Sequence, residues 1–213
     1  KIVKPADYFN TKLYTGNGGT NAQTGVGFQP DFTWIKARSN AENHNIFDAV
    51  RGVTKRIRSN GAEAEDTRTT SLTAFGTDGF TLGSGSQVNT NGWTFASWNW
   101  LANGAGSANT DGSINTTATS ANTTSGFSIV QYTGTGSEAT VGHGLGVKPK
   151  IIFFKNLSGS ANWVAQSTLL GNKVQLVLND TSAQNTDSRL GASDNWSSSV
   201  FTVGTYGDMN GSG

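Results

Sequence analysis

The sequence predicts an all-β protein of two tandem antiparallel β-sandwich domains, and three observations carry that prediction. Of the 213 residues, 99 are Gly, Ser, Thr or Asn, and the 3.6-residue pattern of Ala, Leu, Glu, Lys and Arg that marks helices is missing. Thr, Val, Ile, Phe and Trp fall instead in short runs between turn-forming clusters, as strands and tight turns require. Finally, the chain repeats itself at an offset of about 118 to 121 residues.

The first domain is expected over residues 1–102. Tyr14-Thr15-Gly16-Asn17-Gly18 ends one strand in a Gly-rich turn, and Phe32-Thr33-Trp34-Ile35-Lys36 follows Pro30 as a second. Proline fixes φ and lacks an N–H, so Pro30 belongs at the start of a strand, and the apolar run behind it reads as a buried central strand with Trp34 in the core. Residues 45–58 carry Phe47, Ala49, Val50, Val53 and Ile57 at near-helical spacing, but Gly52 and Thr54 interrupt them, so a helix there is the minority reading. Asn60-Gly61, Asp78-Gly79, Asn91-Gly92 and, further on, Asp111-Gly112 are turn pairs expected to supply positive φ. Gly79-Phe80-Thr81-Leu82-Gly83 forms another strand. Trp93-Thr94-Phe95-Ala96-Ser97-Trp98-Asn99-Trp100 closes the domain, with Trp98 and Trp100 on one face as core or interface.

Residues 103–125 read as a linker, in which Ser113 to Thr119 have the propensity to add an edge strand. The second domain, 126–213, rewrites the first. Tyr132-Thr133-Gly134-Thr135-Gly136, Gly146-Val147-Lys148-Pro149-Lys150-Ile151-Ile152-Phe153-Phe154-Lys155 and Val200-Phe201-Thr202-Val203-Gly204 answer the motifs above. Gly16, Pro30 and Gly83, with Gly134, Pro149 and Gly204, are thus the structural signature of the repeat. Phe127 to Tyr132 and Lys173 to Leu178 read as strands. The second copy reaches Asn210-Gly211-Ser212-Gly213 without a counterpart of the closing strand, which leaves an unpaired edge and an apolar groove. Together with Lys1 in place of an initiating Met, this predicts a fragment of a longer polypeptide, or else a strand supplied from elsewhere.

Composition narrows function. A formal net charge of +1 gives no general attraction to nucleic acid or acidic lipid, and no apolar run approaches the ~18 residues of a membrane helix, so neither partner is expected. The absence of cysteine removes disulfides, thiolate metal sites and cysteine nucleophiles. His44 and His143 are the only histidines and read as turn or surface residues, with no partner at i+4, so no metal site and no cofactor is predicted. No Gly-x-Ser-x-Gly elbow is present.

Asp48, Glu63, Glu65 and Asp66 are the carboxylates that could serve a glycosidase, but Ala165 is read opposite Asp48 and the acidic run reads as an exposed turn. No catalytic residue is assigned. Arg51, Lys55, Arg56 and Arg58 read as a solvated or inter-subunit salt-bridged face. The oxygen-rich turns ending in Asp78-Gly79 and Asp111-Gly112 each carry too few carboxylates for calcium. Gly142-His143-Gly144-Leu145-Gly146 precedes a Pro-led strand rather than a helix, so it reads as a turn and not a phosphate loop. Exposed tryptophan can stack on a sugar face, and Trp163 and Trp196, in the variable polar middle of the second domain, are the candidate glycan-binding residues.

The residues Asp7-Tyr8-Phe9-Asn10-Thr11-Lys12-Leu13-Tyr14-Thr15-Gly16, Phe47-Asp48-Ala49-Val50-Arg51-Gly52, Asp78-Gly79-Phe80-Thr81-Leu82-Gly83 and Gly142 to Lys150 resemble the repeat units of structural proteins of tailed, especially marine, bacteriophages. The resemblance covers nearly the whole chain. It implies a lectin-like, jelly-roll β-sandwich in a tail fibre or similar appendage on the virion surface. It implies other virion proteins and a homo-oligomer, commonly a trimer, as partners, and a host-surface glycan as ligand. A capsid decoration protein and a virion-associated glycan hydrolase are the alternatives.

Overall fold

The computed structural model describes residues 4–212 and is an all-β protein of antiparallel sheets with two four-residue helices. Two compact units divide the chain: 1–59 with 65–105, and 60–64 with 106–213.

The first unit contains β1 (Phe9–Thr15), β2 (Asn21–Thr24), β3 (Phe32–Ala37), β4 (Asn45–Asp48), β5 (Lys55–Arg56), β6 (Asp66–Thr67), β7 (Leu72–Gly76), β8 (Gly79–Leu82), α1 (Ser86–Asn89) and β9 (Thr94–Trp100). One sheet runs β1-β9-β3-β4 and another β2-β8-β7. Tyr14, Ile35, Phe47 and Phe95 from the first sheet pack in one core with Leu72, Phe80 and Leu82 from the second and with Val88 of α1. Residues 45–58, read at the margin as helical, are β4, a turn and β5, because Gly52 takes φ +103° and the chain doubles back on Ile46–Ile57 hydrogen bonds.

The second unit contains β10 (Ala118–Asn122), β11 (Phe127–Gln131), β12 (Ala139–Gly142), β13 (Ile151–Phe154), β14 (Val164–Ser167), β15 (Val174–Val177), β16 (Asn185–Thr186), β17 (Val200–Val203) and α2 (Gly207–Asn210). Its sheets are β10-β11, β12-β17 and β13-β14-β15-β16. Ile114, Val141, Phe154, Val164, Leu190, Trp196, Phe201 and Met209 form its core. Residues 106–125 are therefore part of this unit: Ile114 bridges to Val141 and fills the core, and β10 pairs with β11.

Where strands of the two units correspond, they pair in the same register. Asn21 pairs with Leu82 as Ala139 does with Val203, and Phe32 pairs with Asp48 as Ile151 does with Ser167. This register puts Ser167, not Ala165, at the station of Asp48, since the offset of 119 set at β3 persists through β4. The turns agree to the atom. The Asn17 and Thr135 N–H groups donate to the side-chain oxygens of Asn89 and Asn210, and those two amides donate in turn to the carbonyls of Gly83 and Gly204. Gly16 and Gly134 are glycine for want of space: a Cβ on either would lie 2.2 Å from the backbone oxygen of Thr90 or Gly211. Pro30 and Pro149 are buried immediately ahead of β3 and β13. Of the four turn pairs, Gly79 and Gly92 have positive φ; Gly61 and Gly112 do not, and Gly112 instead lets the backbone pass the Thr140 oxygen.

Candidate functional site

The first unit carries an aromatic face. Along β3, Thr33, Ile35 and Ala37 are buried while Phe32, Trp34 and Lys36 are half-buried on the opposite side, so the Pro-led strand is covered on one face only. Trp34 is accordingly not a core residue. In β9, Phe95, Ser97 and Asn99 point inward, and Trp98 and Trp100 share the outward face. Asn99 fixes the strand from inside, accepting from the Thr33 hydroxyl at 3.1 Å and donating to the Ser97 hydroxyl at 3.0 Å.

The register Phe32↔Trp100 and Trp34↔Trp98 then places the rings side by side. Centroids lie 5.4 Å apart for Phe32–Trp100, 6.3 Å for Trp34–Trp98 and 4.7 Å for Phe9–Trp100. Their tilted and edge-to-face packing is the arrangement aromatic quadrupoles favour. His44, half-buried rather than on the open surface, closes one end: the Trp34 indole N–H donates to its Nδ1 at 2.8 Å. That bond requires the neutral ring with its proton on Nε2. Burial, then the charge of Lys36, holds the His44 pKa below its ordinary value. Trp34, His44, Trp98 and Trp100 line a shallow hollow of about 240 Å³. A wider one of about 580 Å³ is lined by Lys36, Ala41, Glu42 and Asn43, and Lys36 is next to Trp34 on the outward face of β3.

The predicted candidates fall elsewhere. Trp163 and Trp196 are 6% and 3% exposed, and Trp196 is part of the second core. Neither ring is available to a sugar. His143 is buried too. Its Nδ1 accepts from the Leu145 N–H and its Nε2 faces the Ser197 carbonyl, so it locks the Gly142–Gly146 turn, and burial lowers its pKa.

Two members of the basic run, Arg51 and Arg56, are buried in a salt-bridge network rather than solvated, while Lys55 stays partly exposed. Arg51 bonds Asp48 at 2.6 Å and Glu65 at 3.1 Å, and Arg56, 1% exposed, bonds Asp66 and Asn45. Three of the four carboxylates considered for hydrolysis, Asp48, Glu65 and Asp66, are thus held by guanidinium groups. The Asp78 carboxylate accepts the Gly25 and Gly27 N–H groups, which hold its pKa below the usual range. Among the described residues no group of three or more His, Cys, Asp or Glu is placed to hold a metal.

Sequence reading missed Phe9, Phe32, Trp34 and His44 as neighbours of Trp98 and Trp100. The two-residue period of Phe32-Thr33-Trp34 was the available signal, but only the β3–β9 register joins the two faces. The sequence model of a family described as a domain of unknown function (DUF7483) matches residues 4–213. No curated protein and no solved structure matches the chain.

Proposed function

The chain belongs to the DUF7483 family, and we propose that it is a structural module of a tailed-phage virion exterior whose first unit binds glycan on the outward face of β3 and β9. The phage setting rests on the sequence resemblance, and with it the lectin-like sandwich fold, the virion partners and the homo-oligomer. The observation that carries glycan binding is the row Phe32, Trp34, Trp98 and Trp100, half-buried on a rigid sheet beside His44. Apolar ring faces receive the C–H face of a sugar, and the surrounding polar groups of His44, Lys36, Glu42 and Asn43 meet its hydroxyls. Binding without turnover is favoured because Asp48, Glu65 and Asp66 are each engaged by arginine. The ligand class is a neutral or weakly charged surface polysaccharide, in keeping with a nearly neutral protein.

A glycan array probed with the whole chain, together with particle-resolved electron density, tests this reading. Binding to bacterial surface glycans that is lost in Trp98→Ala, and density on a fibre or appendage, are expected. An empty array with density on capsid capsomers would instead identify a decoration protein.

A further inference from the structure

Unit one contains a strand for which unit two has only the place. β9 lies between β1 and β3 and is antiparallel to both, whereas among the described residues no strand lies between their counterparts β11 and β13. The edges that would hold it can be identified from the hydrogen-bond alternation along a strand. In β1 the even positions face β9: Tyr8 accepts from the Leu101 N–H and Gly16 donates to Trp93. An offset of 118 maps these onto even positions of β11. The Gln131 carbonyl accepts from Thr117 on the β10 side, so Ser128, Val130 and Tyr132 direct their backbone groups to the opposite edge. On β13, Lys150 accepts from Thr168 on the β14 side, which turns the backbone of Ile151 and Phe153 the other way.

The side chains agree with the backbone. Ile151 and Phe153 are 53% and 50% exposed, at the stations where Phe32 and Trp34 meet Trp100 and Trp98. The approach is also built. In the first unit Tyr14 donates to the Val88 carbonyl and Gly18 to the Asn89 carbonyl, and the chain then turns through Asn91-Gly92 into β9. In the second, Tyr132 donates to the Met209 carbonyl and Gly136 to Asn210, bringing Gly211 against Gly134 in the same way.

We propose that the facing open edges of β11 and β13 form a strand-acceptor site. Its occupant is one extended strand of β9 chemistry, delivered past α2 as β9 is past α1 and antiparallel to both neighbours. Its inward positions carry an aromatic and then small polar residues, as Phe95, Ser97 and Asn99 do. Its outward positions carry aromatic rings that cover Ile151 and Phe153 and complete a second aromatic face.

The test adds a peptide of residues 93–102 to the whole chain, and separately extends the chain after Gly213 by a copy of the same residues. Hydrogen exchange at Ser128, Val130, Tyr132, Ile151 and Phe153 is the readout. Saturable peptide binding with at least tenfold slower exchange at these amides is expected, and the extended chain should melt on the order of 5 °C higher. A peptide with Ser97→Pro, which cannot complete the ladder, should bind at least tenfold more weakly. Unchanged exchange and melting in the extended chain would overturn the proposal. So would equal binding of the Pro peptide, or concentration-dependent dimers that protect the same amides and exclude the peptide, since a second copy would then be the occupant.

Discussion

The two units keep one register where their strands correspond, and they can be compared at one buried station and at the place of the strand between β1 and β3. Where β5 and β6 of the first unit pair Arg56 with Asp66, β15 and β16 of the second pair Gln175 with Asn185 in the same register. Arg56 and Gln175 are both buried. The fold therefore accepts an uncharged side chain at this buried station: Asn185 is exposed and the Gln175 Oε1 has no hydrogen-bond partner among the described residues. A buried ion pair is costly to desolvate and costly to break, so the first unit is the more brittle of the two at this point.

The largest predicted effect breaks that pair from one side. Asp66→Asn leaves the buried Arg56 guanidinium with a neutral, partly exposed partner beside Asn45, and should destabilise the first unit by about 2–3 kcal/mol in denaturant unfolding. The double change Arg56→Gln with Asp66→Asn copies the second unit and should recover more than half of that loss. A double variant no more stable than Asp66→Asn alone would show that the two stations are not equivalent.

Acid probes the same contrast. Burial alone would raise the Asp66 pKa, but the hydrogen bonds and charges of Arg56 and Arg68 outweigh it and hold the value below the ordinary one. A depressed carboxylate stabilises the fold fully above its unfolded value of about 4 and loses that contribution as pH falls through the lower folded value. The Asn185 station itself carries no carboxylate, and its neighbour Asp187, its pKa held at about 2 by the hydrogen bonds of Arg189, protonates only at lower pH. Segment-resolved exchange below pH 4 should therefore show β5 and β6 opening ahead of β15 and β16.

A smaller effect is expected at the shared turn. Gly16→Ala forces a Cβ onto the Thr90 oxygen, where the chain is committed to entering β9, and should cost about 1–3 kcal/mol. Gly134→Ala meets the Gly211 oxygen at the same 2.2 Å and should cost the second unit a similar amount. Smallest is the effect of His44→Phe. It removes the Trp34 hydrogen bond, so Trp34 fluorescence should shift while melting changes by about 1 kcal/mol or less.

The repeat was legible because glycine and proline are set by backbone space. Gly16, Gly83, Gly134 and Gly204 each sit where a Cβ would strike a carbonyl oxygen, and no side-chain context can relax that demand. The candidate site was far less legible. A tryptophan in a polar stretch reads as exposed, yet Trp163 and Trp196 are buried, Trp196 in the second core, by tertiary packing that no local pattern encodes. A tryptophan after Pro30 reads as core, yet burial of β3 on one face leaves Trp34 outward. The acidic run at Glu63 to Asp66 misled similarly, since Glu65 and Asp66 serve arginines that precede them by about ten residues.

Hydrogen exchange of the unmodified chain, read amide by amide along β1 and β11, tests most directly the claim that β1 is paired along an edge that β11 leaves open. The account predicts slow exchange at Asn10, Lys12 and Tyr14, which pair with β9, and exchange at least a hundredfold faster at Ser128, Val130 and Tyr132. Equal protection of the two sets in a monomeric sample would contradict it.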